Sequence, residues 1–308
     1  MADGEPAEPS GPGEPSGPGV TGLVVVDKGP GWTSHDVVAR CRTIFGQRRV
    51  GHAGTLDPDA TGVLLVGLGR FTRMLRFLGA QGKSYTGEVV LGLSTSTLDA
   101  SGEVTGQWDM SGVTLDQVRA AAASLTGTLW QVPPMVSARK VGGKRLHALA
   151  RAGIEVERRP RPVTVDRFDV APGPEPGVFA LSVDCSTGTY VRVLAADLGT
   201  ALGGGAHLRN LRRTRIGSFT TEQAHPIDAL GPADVLAPAV ALRDLESVTV
   251  GPELSRNVTH GLALDKVAVG AGGDGPWAVL DDDGELLAVY EGTDTDRLVA
   301  ACVLRSSG

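Results

Sequence analysis

Asp57 stands directly before Pro58 and five residues after His52, in the stretch Arg49-Val50-Gly51-His52-Ala53-Gly54-Thr55-Leu56-Asp57-Pro58-Asp59-Ala60-Thr61-Gly62. The proline disfavours the helical basin at Asp57 and pins its carboxylate on an extended or turning backbone. Glycines at 51, 54 and 62, together with Pro58, Asp57 and Asp59, predict an irregular loop over the whole stretch. A carboxylate held on a loop near a histidine is a candidate reactive group. The same residues also suit a turn in which an aspartate caps backbone N–H groups, and on the chemistry of this stretch alone the turn is the better reading.

Other chemistries find less support. The histidines at 52, 147, 207, 225 and 260 form no HxxxH or HExxH pair, and Asp281-Asp282-Asp283 lacks the alternation and terminal Glu of a calcium loop, so no metal is expected. Gly67-Leu68-Gly69 follows an apolar run but has Thr72 where a dinucleotide site needs its third glycine, and no nucleotide cofactor is expected. Basic residues, in contrast, gather in three groups. Residues 139–167 carry nine Lys or Arg against three acids, residues 209–215 carry four arginines and no acid, and Arg70, Arg73 and Arg76 recur at intervals of three. Guanidinium forks suit phosphate oxygens. Among the three tyrosines, Tyr85 lies two residues after Lys83 and Tyr190 two before Arg192, each placed to stack on an unpaired base or to pack in the core. An RNA-binding or RNA-folding protein would use the same clusters, and only a reactive Asp57 separates that class from an enzyme.

These residues need a scaffold. Consecutive apolar residues predict strands over 22–27 and 62–67, with a helix of 34–45 between them, capped by Thr33 or Ser34 and apolar at Val37, Val38, Cys41 and Ile44. A short helix is expected over 70–78, a strand over 82–93, a polar loop over 94–106, a helix over 114–125 and an extended segment over 126–132. A short helix over 144–152, hairpin strands over 163–170 and 178–185, a helix over 189–202 and a weak helical stretch over 226–245 complete the body. Strands and helices mix without βαβ alternation, which predicts an α+β fold with a largely antiparallel sheet. From Val248 onward, short apolar runs and turn signals predict a small β-rich domain. The expected division is a disordered Pro/Gly-rich tail over 1–20, a catalytic body over 21–246 and a C-terminal domain over 247–308. Net charge is −6, but residues 1–20 hold four acids and no base, and 247–308 hold ten acids against four bases. The body is therefore basic, with 25 bases against 21 acids, and can still receive a polyanion. The opening residues lack the basic and apolar regions of a secretory signal, no apolar run reaches membrane length, and the three cysteines are far apart, so a reducing cytoplasm and no membrane are expected.

The segment 51–64 closely resembles the catalytic motif of the TruB family of RNA pseudouridine synthases. Further similarities follow in the family's order: Asp27-Lys28 through Gly31-Trp32-Thr33-Ser34-His35-Asp36-Val37-Val38, then Lys83-Ser84-Tyr85, then Pro133-Pro134-Met135 through Gly143-Lys144-Arg145, then Ser186-Thr187-Gly188-Thr189-Tyr190-Val191-Arg192, and last Gly205-Ala206-His207-Leu208-Arg209-Asn210-Leu211-Arg212-Arg213. The bacterial members isomerise the uridine at position 55 in the TΨC arm of tRNA. The resemblance implies that Asp57 is the catalytic carboxylate and that Arg192 pairs with it and holds it ionised. It implies that Tyr85 stacks on the flipped uracil, that Tyr190 and Leu211 line the same pocket, and that His52 takes the place of the extruded base. Lys28, Arg73, Lys140 and Lys144 become candidate phosphate contacts, and Asp59 the capping residue of the turn. The resemblance leaves two routes open for Asp57, covalent addition to the sugar or the base, or initiation of an elimination at the sugar. No cofactor is implied, the partner is the TΨC stem-loop of tRNA, and a monomer is expected. A pseudouridine synthase fold with a small PUA-like C-terminal domain is implied too. The chain departs from the family pattern at Gly29-Pro30, at Phe71-Thr72-Arg73 and at His147, none of which touches the implied chemistry.

Overall fold

A computed structural model describes residues 19–135, 140–141, 144–145, 154 and 156–304. The expected tail up to residue 18, Arg139, His147 and most of the helix expected over 144–152 lie outside the described residues; Lys144–Arg145 itself is extended and pairs with Lys140–Val141.

Val24, Val25 and Val26 are stiff, β-branched and apolar, and they form the strand Gly22–Lys28, buried along nearly its whole length. It pairs antiparallel with Thr61–Leu68, from Gly22 opposite Leu68 to Lys28 opposite Gly62. Because side chains alternate across a strand, these two feed two cores. Val24, Val26, Leu64 and Val66 face Val37, Val38 and Cys41 of the helix Ser34–Ile44. Leu23, Val25, Val63 and Leu65 face the opposite way, toward Phe71, Phe77 and Leu78.

The large sheet continues from Thr61–Leu68 to Ala206–Ile216, Lys83–Leu91, Val178–Cys185, Arg161–Pro172 and Gly127–Gln131. Its neighbours are antiparallel except where Thr61–Leu68 meets Ala206–Ile216 and where His225–Pro226 meets Gly22–Lys28. The sheet is mixed and largely antiparallel, and helices Leu115–Ser124 and Val191–Ala201 cover one face of its far half through a shared core. A second sheet of five strands, within Glu246–Val303, forms the small β-rich C-terminal domain.

Several elements differ from their sequence expectations. The 49–62 stretch is not irregular throughout: Val50–Ala53 is a strand paired antiparallel with Leu65–Leu68, because Val50 and Ala53 bury against a sheet edge. The 94–106 stretch contains a hairpin, Leu93–Thr95 against Val104–Gln107. The weak helix of 226–245 reduces to two 3₁₀ turns and Pro238–Ala241, since Pro226, Pro232 and Pro238 interrupt backbone hydrogen bonding. The helix of 70–78 splits into a 3₁₀ turn, Gly69–Arg73, and Leu75–Gly79. The C-terminal domain also carries a helix, Pro252–Thr259.

One contact at the middle of the sheet admits only glycine. Gly62 has φ +99, and a Cβ there would lie 2.1 Å from the Arg213 carbonyl oxygen, a backbone atom that cannot step aside. Gly62→Ala is expected to destabilise the fold by about 3 kcal/mol or more, read as a lowered urea midpoint; an unchanged midpoint would contradict the close packing.

Candidate active site

The loop that carries Asp57 is fastened from three sides. Thr33 caps the helix Ser34–Ile44: its hydroxyl accepts from the Asp36 N–H (3.1 Å), and its own N–H donates to the Asp36 carboxylate (2.9 Å). That leaves Ser34 as the first helical residue, buried, with its hydroxyl accepting from the Leu56 N–H at 3.0 Å and facing the Leu56 carbonyl at 3.3 Å. Lys28, at the end of the first strand, donates to the carbonyls of Pro58 (2.7 Å), Trp32 (2.7 Å) and Gly29 (2.9 Å). Arg213 donates to the carbonyls of Gly54 (2.8 Å) and Val63 (2.8 Å), bracketing the loop at its two ends. The turn itself is closed by backbone, Ala60 N–H to the Asp57 carbonyl at 3.2 Å, so the Asp57 carboxylate is not used as a cap. Among the described residues the Asp59 side chain accepts no hydrogen bond; the capping expected of it is supplied by the main chain, and Asp59 lines a cavity instead.

Asp57 meets Arg192, the second residue of the helix Val191–Ala201. The contact is a two-pronged fork, Nε to Oδ2 at 3.1 Å and Nη2 to Oδ1 at 3.3 Å. The third prong, Nη1, reaches Asp99 Oδ2 (3.2 Å) and the Thr97 carbonyl (3.0 Å). One guanidinium thus serves two carboxylates. Burial pushes the Asp57 carboxyl up, Arg192 opposes that shift, and Asp99 adds to it. The sequence reading missed Asp99, which sits in a polar stretch that looks like an ordinary loop. Its other oxygen accepts from Thr97 Oγ1 (2.6 Å), Ser101 Oγ (2.6 Å) and the Ser101 N–H (3.1 Å). The loop is tied to the sheet by Ala100 N–H to Leu208 O and Leu208 N–H to Leu98 O, both 3.0 Å.

The fork lies between two adjoining cavities that share Asp57, Arg192 and Leu211. One, of about 270 Å³, is walled by Tyr85, Tyr190, Leu211, Lys83, Thr187 and Arg213, among others. The other, of about 500 Å³, opens past Asp59, Asp99, Ser101 and Asn210. Four of the expected pocket residues, Tyr85, Tyr190, Arg192 and Leu211, therefore come together with Asp57. Tyr85 is directly opposite Arg213 across the sheet; burial pushes its phenol up, and the nearby guanidinium opposes that. Leu211 reaches the cavity because its strand bulges: Asn210 and Leu211 oppose the single residue Gly87, with Asn210 in the left-handed region at φ +53. Tyr190 is set by the buried Gln131, whose amide accepts from the Tyr190 N–H at 3.0 Å and donates to its carbonyl at 3.4 Å. Neither Arg213 nor Gln131 was legible beforehand, since nothing in a run of four arginines or at a strand end marks the residue that turns inward.

The remaining candidates fall elsewhere. His52 lines neither cavity; its ring packs edge-on against His35 with centroids 5.5 Å apart. Lys28 is corrected from a phosphate contact to a structural cation: it is 1 % exposed, its three N–H donors are engaged, and burial lowers its ammonium to about 8. Arg73 also has another task, donating through Nη1 to the Val303 carbonyl at 2.9 Å in the C-terminal domain. The 209–215 arginines are mostly paired with acids rather than open to a polyanion: Arg209 with Glu88 and Glu175 (both 2.7 Å) and Arg212 with Asp27 (2.8 Å). Lys140 and Lys144 face Arg145 and Val141 respectively across a two-residue ladder.

The sequence matches the model of the TruB family pseudouridylate synthase N-terminal domain over residues 42–191, and that of the tRNA pseudouridylate synthase B C-terminal domain over residues 192–246. It is 45% identical over 282 residues to the tRNA pseudouridine synthase B of Rhodococcus jostii (strain RHA1), covering 88% of this chain and 90% of that protein. The tRNA pseudouridine synthase B of Mycobacterium sp. (strain KMS) is 47% identical over 290 residues, 92% of this chain and 96% of the relative. Among solved structures, a chain of a Cbf5-Nop10-Gar1 complex superposes with a TM-score of 0.71 at 26% identity, over 92% of this chain and 85% of that one.

Proposed function

The chain belongs to the TruB family of pseudouridine synthases and makes pseudouridine in tRNA, and from that premise we propose that its target is the uridine at position 55 in the TΨC loop. The observation that carries the proposal is the Asp57–Arg192 fork opening on a cavity walled by Tyr85, Tyr190 and Leu211. An aromatic and aliphatic wall suits a planar base, and a uracil lodged there brings its glycosidic bond toward the carboxylate.

The reaction is an isomerisation. The N1–C1′ bond breaks, the detached uracil turns within the cavity, C5 bonds to C1′, and C5 loses its proton while N1 gains one. Asp57 initiates the cleavage, and Arg192 keeps it ionised and aimed at the sugar. Tyr85 and Tyr190 hold the uracil so that it rotates without leaving. The stacked base must first be extruded from the folded arm, and His52, outside the cavity and against His35, takes its place in the RNA. Residues 21–246 act as the catalytic body and 247–308 as a separate small domain. The protein works as a monomer in the cytoplasm. Among the described residues no helix is long and apolar enough to cross a membrane.

Because C5 exchanges its hydrogen for carbon, tRNA carrying tritium at uracil C5 reports the reaction directly. The expected result is release of one equivalent of tritium to water per tRNA, and none from a tRNA with cytidine at position 55. Release from the cytidine variant would move the target elsewhere. For the basic segment, Lys140→Ala and Lys144→Ala are each expected to weaken tRNA binding and lower its salt dependence by about one unit of logarithmic slope. An unchanged slope would take that lysine out of the interface.

A further inference from the structure

The C-terminal sheet belongs to a region with ten acids against four bases over residues 247–308, the wrong sign for gripping a polyanion. It is nonetheless fastened to the catalytic body at a definite place. Its strand Arg297–Val303 is paired by Leu264–Asp265 only at Arg297 and Leu298. Further along, arginines supply the donors: Arg73 Nη1 to the Val303 carbonyl and Arg76 Nη2 to the Ala301 carbonyl, each at 2.9 Å. Beside these arginines, Met74, Phe77 and Leu78 share one buried cluster with Ala278, Val289 and Cys302 of the sheet. The helix held this way, Leu75–Gly79, ends on a carbonyl that takes two donors. Gly79 O accepts from Lys83 Nζ at 3.0 Å and from Thr187 Oγ1 at 2.8 Å. Lys83 and Thr187 both belong to the wall of the 270 Å³ cavity, and Thr187 leads into Tyr190.

We propose that the C-terminal sheet buttresses the base cavity. Through Arg73 and Arg76 it fixes the Leu75–Gly79 helix, and the Gly79 carbonyl in turn latches Lys83 and Thr187, setting the wall that carries Tyr190. Arg73, Arg76 and Thr187 are positioning residues: they act through that wall and not on the reacting atoms. The inference rests on reading the cavity as the uracil site. Its physical basis is that misplacing a reacting base by about 1 Å can cost on the order of 10²-fold in rate.

The test uses the full chain: the double variant Arg73→Ala/Arg76→Ala, and separately Thr187→Val and Thr187→Ser. Single-turnover pseudouridine formation is measured beside the tRNA dissociation constant and its salt dependence. Expected is a roughly tenfold slower turnover in the double variant and in Thr187→Val, with affinity within about twofold of wild type. Thr187→Ser, which keeps the hydroxyl, restores the rate, and the triple variant Arg73→Ala/Arg76→Ala/Thr187→Val is no slower than the worse of the two lesions, since both cut one route. A double variant with normal turnover but weaker binding and a reduced salt slope would make the arginines RNA contacts and overturn the buttress. Normal turnover with a lowered melting temperature would reduce the contact to plain docking. Normal turnover in Thr187→Val would break the route at its last link, even where the double variant fails to fold. A wild-type protein that forms no pseudouridine would remove the reading of the cavity, and the buttress with it.

Discussion

Asp57→Ala is expected to lower pseudouridine formation by on the order of 10⁴-fold or more while tRNA binding stays within about twofold of wild type. The separation follows from what holds the loop. Ser34 binds Leu56, Lys28 binds Pro58 and Arg213 binds Gly54, all through main-chain atoms that the substitution leaves in place. The Asp57 side chain contributes no hydrogen bond to the turn, which is closed by its backbone carbonyl. Removing the carboxylate therefore takes away the reactive group and little of the scaffold. Asp57→Asn is expected to be equally inactive, because the amide keeps the shape but neither attacks nor accepts a proton from the sugar. The check is single-turnover formation beside a binding isotherm, and substantial turnover in Asp57→Ala would deny the carboxylate its role.

Arg192→Met is expected to slow turnover by about 10²-fold or more and to destabilise the protein at neutral pH by roughly 3 kcal/mol, the lower end of the range for breaking a buried pair because the Asp57 side chain is 38% exposed. Arg192 is itself 5% exposed and joins Asp57 to Asp99. Without it two carboxylates face each other across a cavity with no cation between them. The pH dependence follows from the same arrangement. Burial already raises the Asp57 carboxyl, and Arg192 is the leading influence holding it down. Turnover requires the carboxylate, so it is lost as pH falls through the Asp57 pKa, and in Arg192→Met that acid limb moves to higher pH. Stability moves in the opposite direction. A carboxyl whose folded pKa lies above its unfolded value destabilises the fold while ionised, so the variant regains stability as pH drops and the group takes up its proton. Urea midpoints at neutral and mildly acidic pH check this, and a deficit that deepens with acid would contradict it. Arg192→Lys keeps the charge but not the planar fork and is expected to recover stability more fully than rate.

What the sequence could and could not disclose follows from the range of the interactions. The Leu-Val-Val-Val strand, the Thr33 cap and the helix after Tyr190 depend on neighbouring residues, and each lies close to its expected place. Lys28 was misread because a lysine at the end of a strand ordinarily reaches solvent, whereas its partner Pro58 is thirty residues away. The arginines of 209–215 looked like an open basic patch because their partners Asp27, Glu88 and Glu175 are distant in sequence and near only across the sheet. Asp99 stayed hidden for a similar reason: the backbone bonds that bring its loop to Leu208 leave no trace in residue type. The Leu211 position depends on a bulge opposite Gly87, a feature of register between two strands. Asp57 itself was legible only as a member of a motif; its local chemistry favoured a turn, and the turn is indeed there, closed by main chain beneath a carboxylate left to face Arg192.

The most direct measurement is nucleotide-resolution mapping of pseudouridine in an unmodified tRNA transcript treated with purified wild-type protein and, in parallel, with Asp57→Ala. The expected result is a single pseudouridine at position 55 with the wild type and none with the variant. Pseudouridine at another position, none with the wild type, or full modification by Asp57→Ala would contradict the assignment of this site to that reaction.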